Sequence, residues 1–150
     1  MVEPLTRLTL ETPAGVIEVS ATCSDGKVEC VEFLNVPAFA VHIGVPLKVP
    51  GFGTIEVDIA WGGMFFVIAD AAQFSIDPIA KHGSEIVHAC EAMRTAAAEQ
   101  YPVVHPENKD ITGPTIAQLT APATDPQTDG RGAIVVSSCL LYTSPSPRDS

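Results

Sequence analysis

The chain opens on strict alternation. From Thr6 the segment TRLTLETPAG sets Leu8 and Leu10 between polar neighbours before Pro13-Ala14-Gly15, and VIEVSATC, from Val16, resumes the same period of two. That period sends successive side chains to opposite faces of a strand, so the two runs predict a half-buried hairpin. Ser24-Asp25-Gly26-Lys27 holds the Asp-Gly pair of a tight hairpin turn. VECVEFLNV then alternates a third time, with Val28, Cys30 or Val31, Phe33 and Val36 as expected core positions. Pro37, Pro46 and Pro50 confine the next segments to sheet edges or short pieces. After the turn Pro50-Gly51-Phe52-Gly53, TIEVDIAW is the next strand.

The stretch VDIAWGGMFFVIADA, Val57 to Ala71, is two apolar runs joined by Gly62 and Gly63. Two readings fit. The glycines form a turn or bulge between two buried strands, or they let the backbone approach a small ligand that a β-carbon would block. Trp61 is expected in the core, and Phe65 and Phe66 must face opposite ways if extended.

The period changes after Asp77-Pro78, which reads as an N-cap followed by proline in the first helical turn. Ile79, Ile86, Val87, Cys90, Met93 and Ala97 recur mostly at three or four residues, which predicts a helix to about Gln100, with Gly83 weakening its first turns. YPVVHPENKDITGP is a loop by its prolines, Asn and Gly. TIAQL and GAIVV are late strands, separated by the polar linker APATDPQTDGR. No internal repeat is visible. Many strands, one long helix and more strands describe an α+β fold.

At 150 residues and 46% hydrophobic the chain can build a core without disulfide or metal. The net charge of −10, with eight Lys and Arg scattered from Arg7 to Arg148, argues against nucleic acid and anionic membranes as partners. No segment has transmembrane length, and Glu3 and Pro4 stand where a signal peptide would be basic and then apolar, so a cytoplasmic protein is expected. Cys23, Cys30, Cys90 and Cys139 form no CxxC pair and have no His at zinc-finger spacing, which argues against a metal site. Unpaired thiols suit a reducing compartment.

Beyond Ser138 the sequence changes character to CLLYTSPSPRDS. Cys139 to Asp149 back-translate to a transposase mosaic-end sequencing adapter read in frame. Residues 139–150 are therefore expected to be non-native.

Candidate acids and bases are sparse. His105 in VVHPEN is expected to make a structural hydrogen bond, while His42, His82 and His88 have no triad partners at suitable spacing. His82 and His88 are expected on solvated parts of the helix. Glu56 and Asp58 share a strand face, and Asp58 is expected as an edge or hairpin-facing carboxylate.

LTLETPAG, VEFLNVPAF, VDIAWGGMFF, HPENKDITG and GRGAIVV, in this order and spacing, resemble the proline racemase family. The family comprises proline racemases, 4-hydroxyproline epimerases and trans-3-hydroxyproline dehydratases. The resemblance implies a diaminopimelate-epimerase-like fold, two lobes of mixed β-sheet around a central helix. Residues 1–26 would end the first lobe and residues 27–138 build most of a truncated second.

The resemblance also implies a mechanism. One cysteine in each lobe takes or returns the substrate α-proton, with no metal or organic cofactor, because a thiol near neutral pKa serves as base or acid. Those cysteines lie in motifs of the types MCGHG, expected upstream of Met1, and DRSPCGTGT, expected after GAIVV. Neither is present, so the chain is expected to be an internal fragment with no catalytic residue of its own. Its implied ligand is a small amino acid, proline or hydroxyproline, and a homodimer is left open for the intact protein.

What the fragment would contribute is a pocket wall. In relatives the segment matching WGGMFF ends a strand beside the substrate, often with Asn in place of Met64. Some 4-hydroxyproline epimerases carry a substrate-touching histidine near Ile116, where this chain is apolar. Gly62, Gly63, Met64 and Ile116 are the expected substrate-side positions. Two alternatives stand beside the racemase or epimerase reading: the dehydratase branch, with threonine for the second cysteine, and a noncatalytic binding module.

Overall fold

The three alternating runs fold as an antiparallel meander of β1 (Leu5–Thr12), β2 (Gly15–Ser24) and β3 (Lys27–Leu34). The computed structural model describes residues 2–137 and 140–144, with Ser137 and 140–144 as backbone alone. Asp25 and Gly26 both take positive φ, 51° and 72°, the geometry that the Asp-Gly pair predicts. The boundary expected at 26/27 falls inside this hairpin. The change of sheet comes in residues 35–38.

A second sheet has the order β11-β10-β9-β6-β5-β4. Its strands are β4 (Phe39–Val49), β5 (Gly53–Trp61), β6 (Phe65–Asp70), β9 (Ile116–Pro122), β10 (Gly130–Ser137) and β11 (Leu140–Ser144). Strands β6 and β9 pair in parallel and the other neighbours antiparallel, so the sheet is mixed. Pro46 sits in the edge strand β4, as its missing N–H requires. Of the segment read as adapter-encoded, Cys139 and residues 145–150 lie outside the described residues.

Helix α1 (Gly83–Gln100) packs its buried stripe of Ile86, Cys90, Met93 and Ala97 on one face of this sheet. Leu47, Ile59, Phe65, Val67 and Leu119 meet it from the strands, all fully buried. Each large side chain so removed from water stabilises the fold by roughly 1.5–3 kcal/mol.

Two expectations about the helix start are corrected. The carboxylate of Asp77 pairs with Arg131 of β10 instead of capping the helix, and Ile79 is extended and 38% exposed. Gly83 explains the delay: a 3₁₀ turn at Ala80–His82 precedes it, and α-helix begins only there. His82 is half-buried, and the exposed His88 lies against Phe52.

The loop between Tyr101 and Pro114 is tighter than read, with β7 (Val103–Val104) and β8 (Thr112–Gly113) pairing antiparallel. Val28, Val31 and Phe33, expected in the core, are 52, 55 and 59% exposed, and Cys30 is exposed on the opposite face. Val36 is half-buried. The alternation picked the apolar face, but among the described residues no layer covers it. No helix there is long and apolar enough to cross a membrane.

Candidate functional site

The paired glycines form a three-residue turn. Trp61 and Phe65 are cross-strand partners at the end of β5 and β6, and the Gly62 N–H donates to the Met64 carbonyl at 3.1 Å. Gly63 has φ +99°, a conformation that L side chains rarely adopt, whereas Gly62 has open space where a β-carbon would stand. The turn is therefore required at Gly63 and leaves bare backbone at Gly62. The turn reading of the glycines is the one this geometry bears out.

Around Gly63 stand Ala14 from the first hairpin and Asn35 and Val36 from the link between the sheets, each with an atom 3.8–3.9 Å from the position of an added β-carbon. The Asn35 side-chain amide donates to the Gly62 carbonyl at 3.3 Å, while its oxygen accepts from the Val36 N–H at 2.9 Å. Asn35 thus pins the turn to the link. Nothing in the periodicity marks it, since an Asn closing a strand before Val-Pro reads as an ordinary breaker.

Beneath the turn lies an aromatic cluster. Trp61 and Phe65 have ring centroids 4.9 Å apart, Phe39 stacks on Trp61 at 6.3 Å, and the His105 ring sits 4.6 Å from Trp61. His105 Nδ1 accepts from the N–H groups of Glu107 and Asn108 at 3.3 and 3.2 Å, the structural role expected of it. A nitrogen so occupied is not free to take a substrate proton.

Gly113 closes the cluster. A β-carbon there would lie 2.5 Å from Phe65 Cβ, and the neighbouring Thr115 N–H donates to the Phe65 carbonyl at 3.0 Å. Sequence reasoning missed Gly113 because its constraint is a tertiary contact.

Met64 is 45% exposed at the turn. Ile116 starts β9 opposite Phe66, so parallel pairing brings it to the same end of the sheet, but it is buried to 4%. Phe65 is buried on the helix side and Phe66 half-buried on the other, as alternation requires. Asp58, exposed on β5, accepts from the Gly44 N–H at 2.8 Å and so holds a bulge in edge strand β4. Two open concave surfaces lie elsewhere, one of about 520 Å³ by Thr120, Asp129 and Arg131, the other of about 400 Å³ by Lys48, Glu91 and Glu99.

The turn region offers backbone polar groups, an amide, a thioether and aromatic walls, which orient a ligand but do not move protons. Of the thiols, Cys90 is excluded as a base. Cys90 faces the core, where burial and then the neighbouring Glu91 charge push its thiol up to about 12, so it holds its proton at neutral pH. Cys23 is buried and Cys30 exposed. Among the described residues no group of three His, Cys, Asp or Glu forms a metal site.

The chain is similar to known proteins over most of its length. The family model for proline racemase matches residues 1–147. An uncharacterized protein of Bacillus anthracis is 37% identical over 137 residues, which are 91% of this chain and 39% of that relative. A crystal structure of a probable proline racemase from Agrobacterium radiobacter, with bound carbonate, superposes with TM-score 0.83 at 31% identity. It covers 89% of this chain and 39% of its own. A hydroxyproline epimerase from Agrobacterium vitis, with bound trans-4-hydroxy-L-proline, gives TM-score 0.83 at 28% identity over 89% of this chain and 38% of its own.

Proposed function

This chain belongs to the proline racemase family, and on that basis we propose that the intact protein racemises or epimerises proline or hydroxyproline by moving the α-proton between two cysteines. The observation that carries the reading is the likeness to a hydroxyproline epimerase with bound trans-4-hydroxy-L-proline, at TM-score 0.83 over 89% of this chain. The chain spans 39% of the curated relative and of the racemase structure. That leaves more than half of each relative for further sequence, where the proposal locates both cysteines.

The division of labour follows from chemistry. A two-base racemisation needs one thiolate and one thiol on opposite faces of the α-carbon, and Cys90 cannot ionise near neutrality. Residues 1–150 contribute the wall instead: Gly62 and Gly63 give close backbone approach, Met64 fills space where an amide would hydrogen-bond, and Ile116 backs the turn. The proposal takes the protein as cytoplasmic, which free thiols support, and leaves residues 139–150 out of the native chain on the strength of back-translation alone.

The test is solvent exchange at the α-carbon. In heavy water the intact protein is expected to place deuterium there in proline or trans-4-hydroxy-L-proline and to accumulate the other stereoisomer, whereas residues 1–150 alone turn over neither. Loss of water from trans-3-hydroxy-L-proline without a stereoisomeric product would move the protein to the dehydratase branch. Absence of exchange in every substrate overturns the proposal.

A further inference from the structure

His105 stands where a loop meets the base of the Gly62–Met64 turn. Residues 105–111 contain neither helix nor strand, and their closure is polar. The His105 N–H donates to the Ile111 carbonyl at 2.9 Å, and the Ile111 N–H donates to the Asn108 carbonyl at 3.2 Å. Within that closure the imidazole Nδ1 accepts from the Glu107 and Asn108 N–H groups at 3.3 and 3.2 Å, and Asn108 Oδ1 accepts from the Asp110 N–H at 3.1 Å. Two donors converging on Nδ1 leave the ring proton to Nε2.

The ring itself packs into the aromatic cluster. Its centroid lies 4.6 Å from that of Trp61, 5.9 Å from Phe39 and 6.5 Å from Phe65. Among the described residues it is the one ring of this cluster that hydrogen-bonds the loop. Trp61 and Phe65 are the cross-strand pair from which the turn springs. The far end of the loop returns to that pair, since Gly113 lies against Phe65 and the Thr115 N–H donates to the Phe65 carbonyl at 3.0 Å. One side chain thus joins the loop to both strand ends that carry the turn.

We propose that His105 is a positioning residue for the substrate wall: locked as its Nε2–H tautomer, it folds residues 105–111 and, through Trp61 and Phe65, holds the Gly62–Met64 turn in place. This rests on the proposed reading, in which that turn is the wall. The imidazole does two things that no apolar ring does together, filling the cluster and accepting two backbone donors. Phenylalanine at this position would keep the first and lose the second, leaving the Glu107 and Asn108 N–H groups without their acceptor.

Two measurements on the intact protein test this. Nitrogen-15 NMR of the wild type at pH 8 should show His105 as the Nε2–H tautomer, and the Nδ1–H tautomer overturns the lock whatever any variant does. In His105→Phe, amide exchange at Glu107 and Asn108 is expected to quicken by at least about tenfold and to carry Gly63 and Met64 with it, while the α1 amides follow global stability alone. The same variant is expected to raise KM for the amino acid by about fivefold with kcat within about twofold of wild type. A loosened loop beside an unchanged turn overturns the inference, because His105 then serves its own loop alone. Failure of the functional reading would look different: coupled exchange at loop and turn in a protein that turns over no amino acid sinks the racemase proposal and leaves His105 holding the turn.

Discussion

Phe65 and Gly113 are fitted to each other so closely that a β-carbon added to the glycine would lie 2.5 Å from Phe65 Cβ and 3.1 Å from two of its ring carbons. Phe65 is 1% exposed and packed among Trp61, Phe39 and His105, so it has little room to retreat. Gly113→Ala is therefore expected to lower stability by about 1–3 kcal/mol through overpacking. Gly62→Ala, where nothing lies within 4 Å and φ is not positive, is expected to stay within about 0.5 kcal/mol of wild type. Urea unfolding of the two variants side by side checks the contrast, and equal losses would contradict it.

Asn35 is the sole side chain seen to hydrogen-bond the Gly62–Met64 turn among the described residues. Asn35→Ala removes one exposed hydrogen bond, so its expected cost in stability is only about 1 kcal/mol. The larger effect is local: amide hydrogen exchange at Gly63 and Met64 should accelerate, while the α1 amides change only as far as global stability does. If the turn forms the substrate wall proposed above, Asn35→Ala in the intact protein should raise KM for the amino acid more than it lowers kcat. Unchanged exchange at the turn would show that the packing of Ala14 and Val36 holds it without Asn35.

Much of this architecture was legible from residue order, and the failures have physical causes. Alternation located the meander, and Asp-Gly named its turn. Period alone cannot say whether a layer covers an apolar face, so Val31 and Phe33 were assigned to the core but lie exposed. The Asp77 cap failed because a distant cation, Arg131, takes the carboxylate. At the candidate wall the glycines announced themselves by interrupting an apolar run. Asn35 and Gly113 did not, because their roles exist only once Gly62 and Phe65 have been folded against them.

The thiols separate by environment. Cys30 is exposed and should react with a thiol reagent in the native protein, whereas Cys23 and Cys90 should react only on unfolding. Cys90 also makes stability depend on alkaline pH. Its folded pKa is raised from 9.0 to about 12, so between these values the unfolded chain has released a proton that the folded chain retains. Its contribution is fully present below pH 9.0 and is lost as pH rises toward about 12. Cys90→Ala should thus show a shallower alkaline decline than wild type, read from urea midpoints across that range, and parallel declines would contradict the assignment.

Gln100 extends the sheet beyond its last strand. Its side-chain amide donates to the Lys48 carbonyl at 2.8 Å and accepts from the Lys48 N–H at 3.0 Å, as a neighbouring strand would. Gln73 does the same for Glu56 at 2.9 and 2.8 Å, where β5 runs past the end of β6. Because β4 is an edge strand, its unpaired backbone groups are where another chain would add. Gln100→Ala exposes both Lys48 groups at once. Two exposed hydrogen bonds at about 0.5–1.5 kcal/mol each set the scale of the stability loss. The more telling readout is association: light scattering should grow with concentration more steeply than for wild type, and exchange at the Lys48 amide should accelerate. Gln100→Glu keeps the acceptor for the Lys48 N–H but opposes a carboxylate to its carbonyl, so it should accelerate exchange while its added charge suppresses association. If neither variant alters exchange at Lys48, the amide bridge is not what protects this edge, and the bulge held by Asp58 and the Tyr101 hydroxyl, which donates to the Pro46 carbonyl at 2.9 Å, are left to do so.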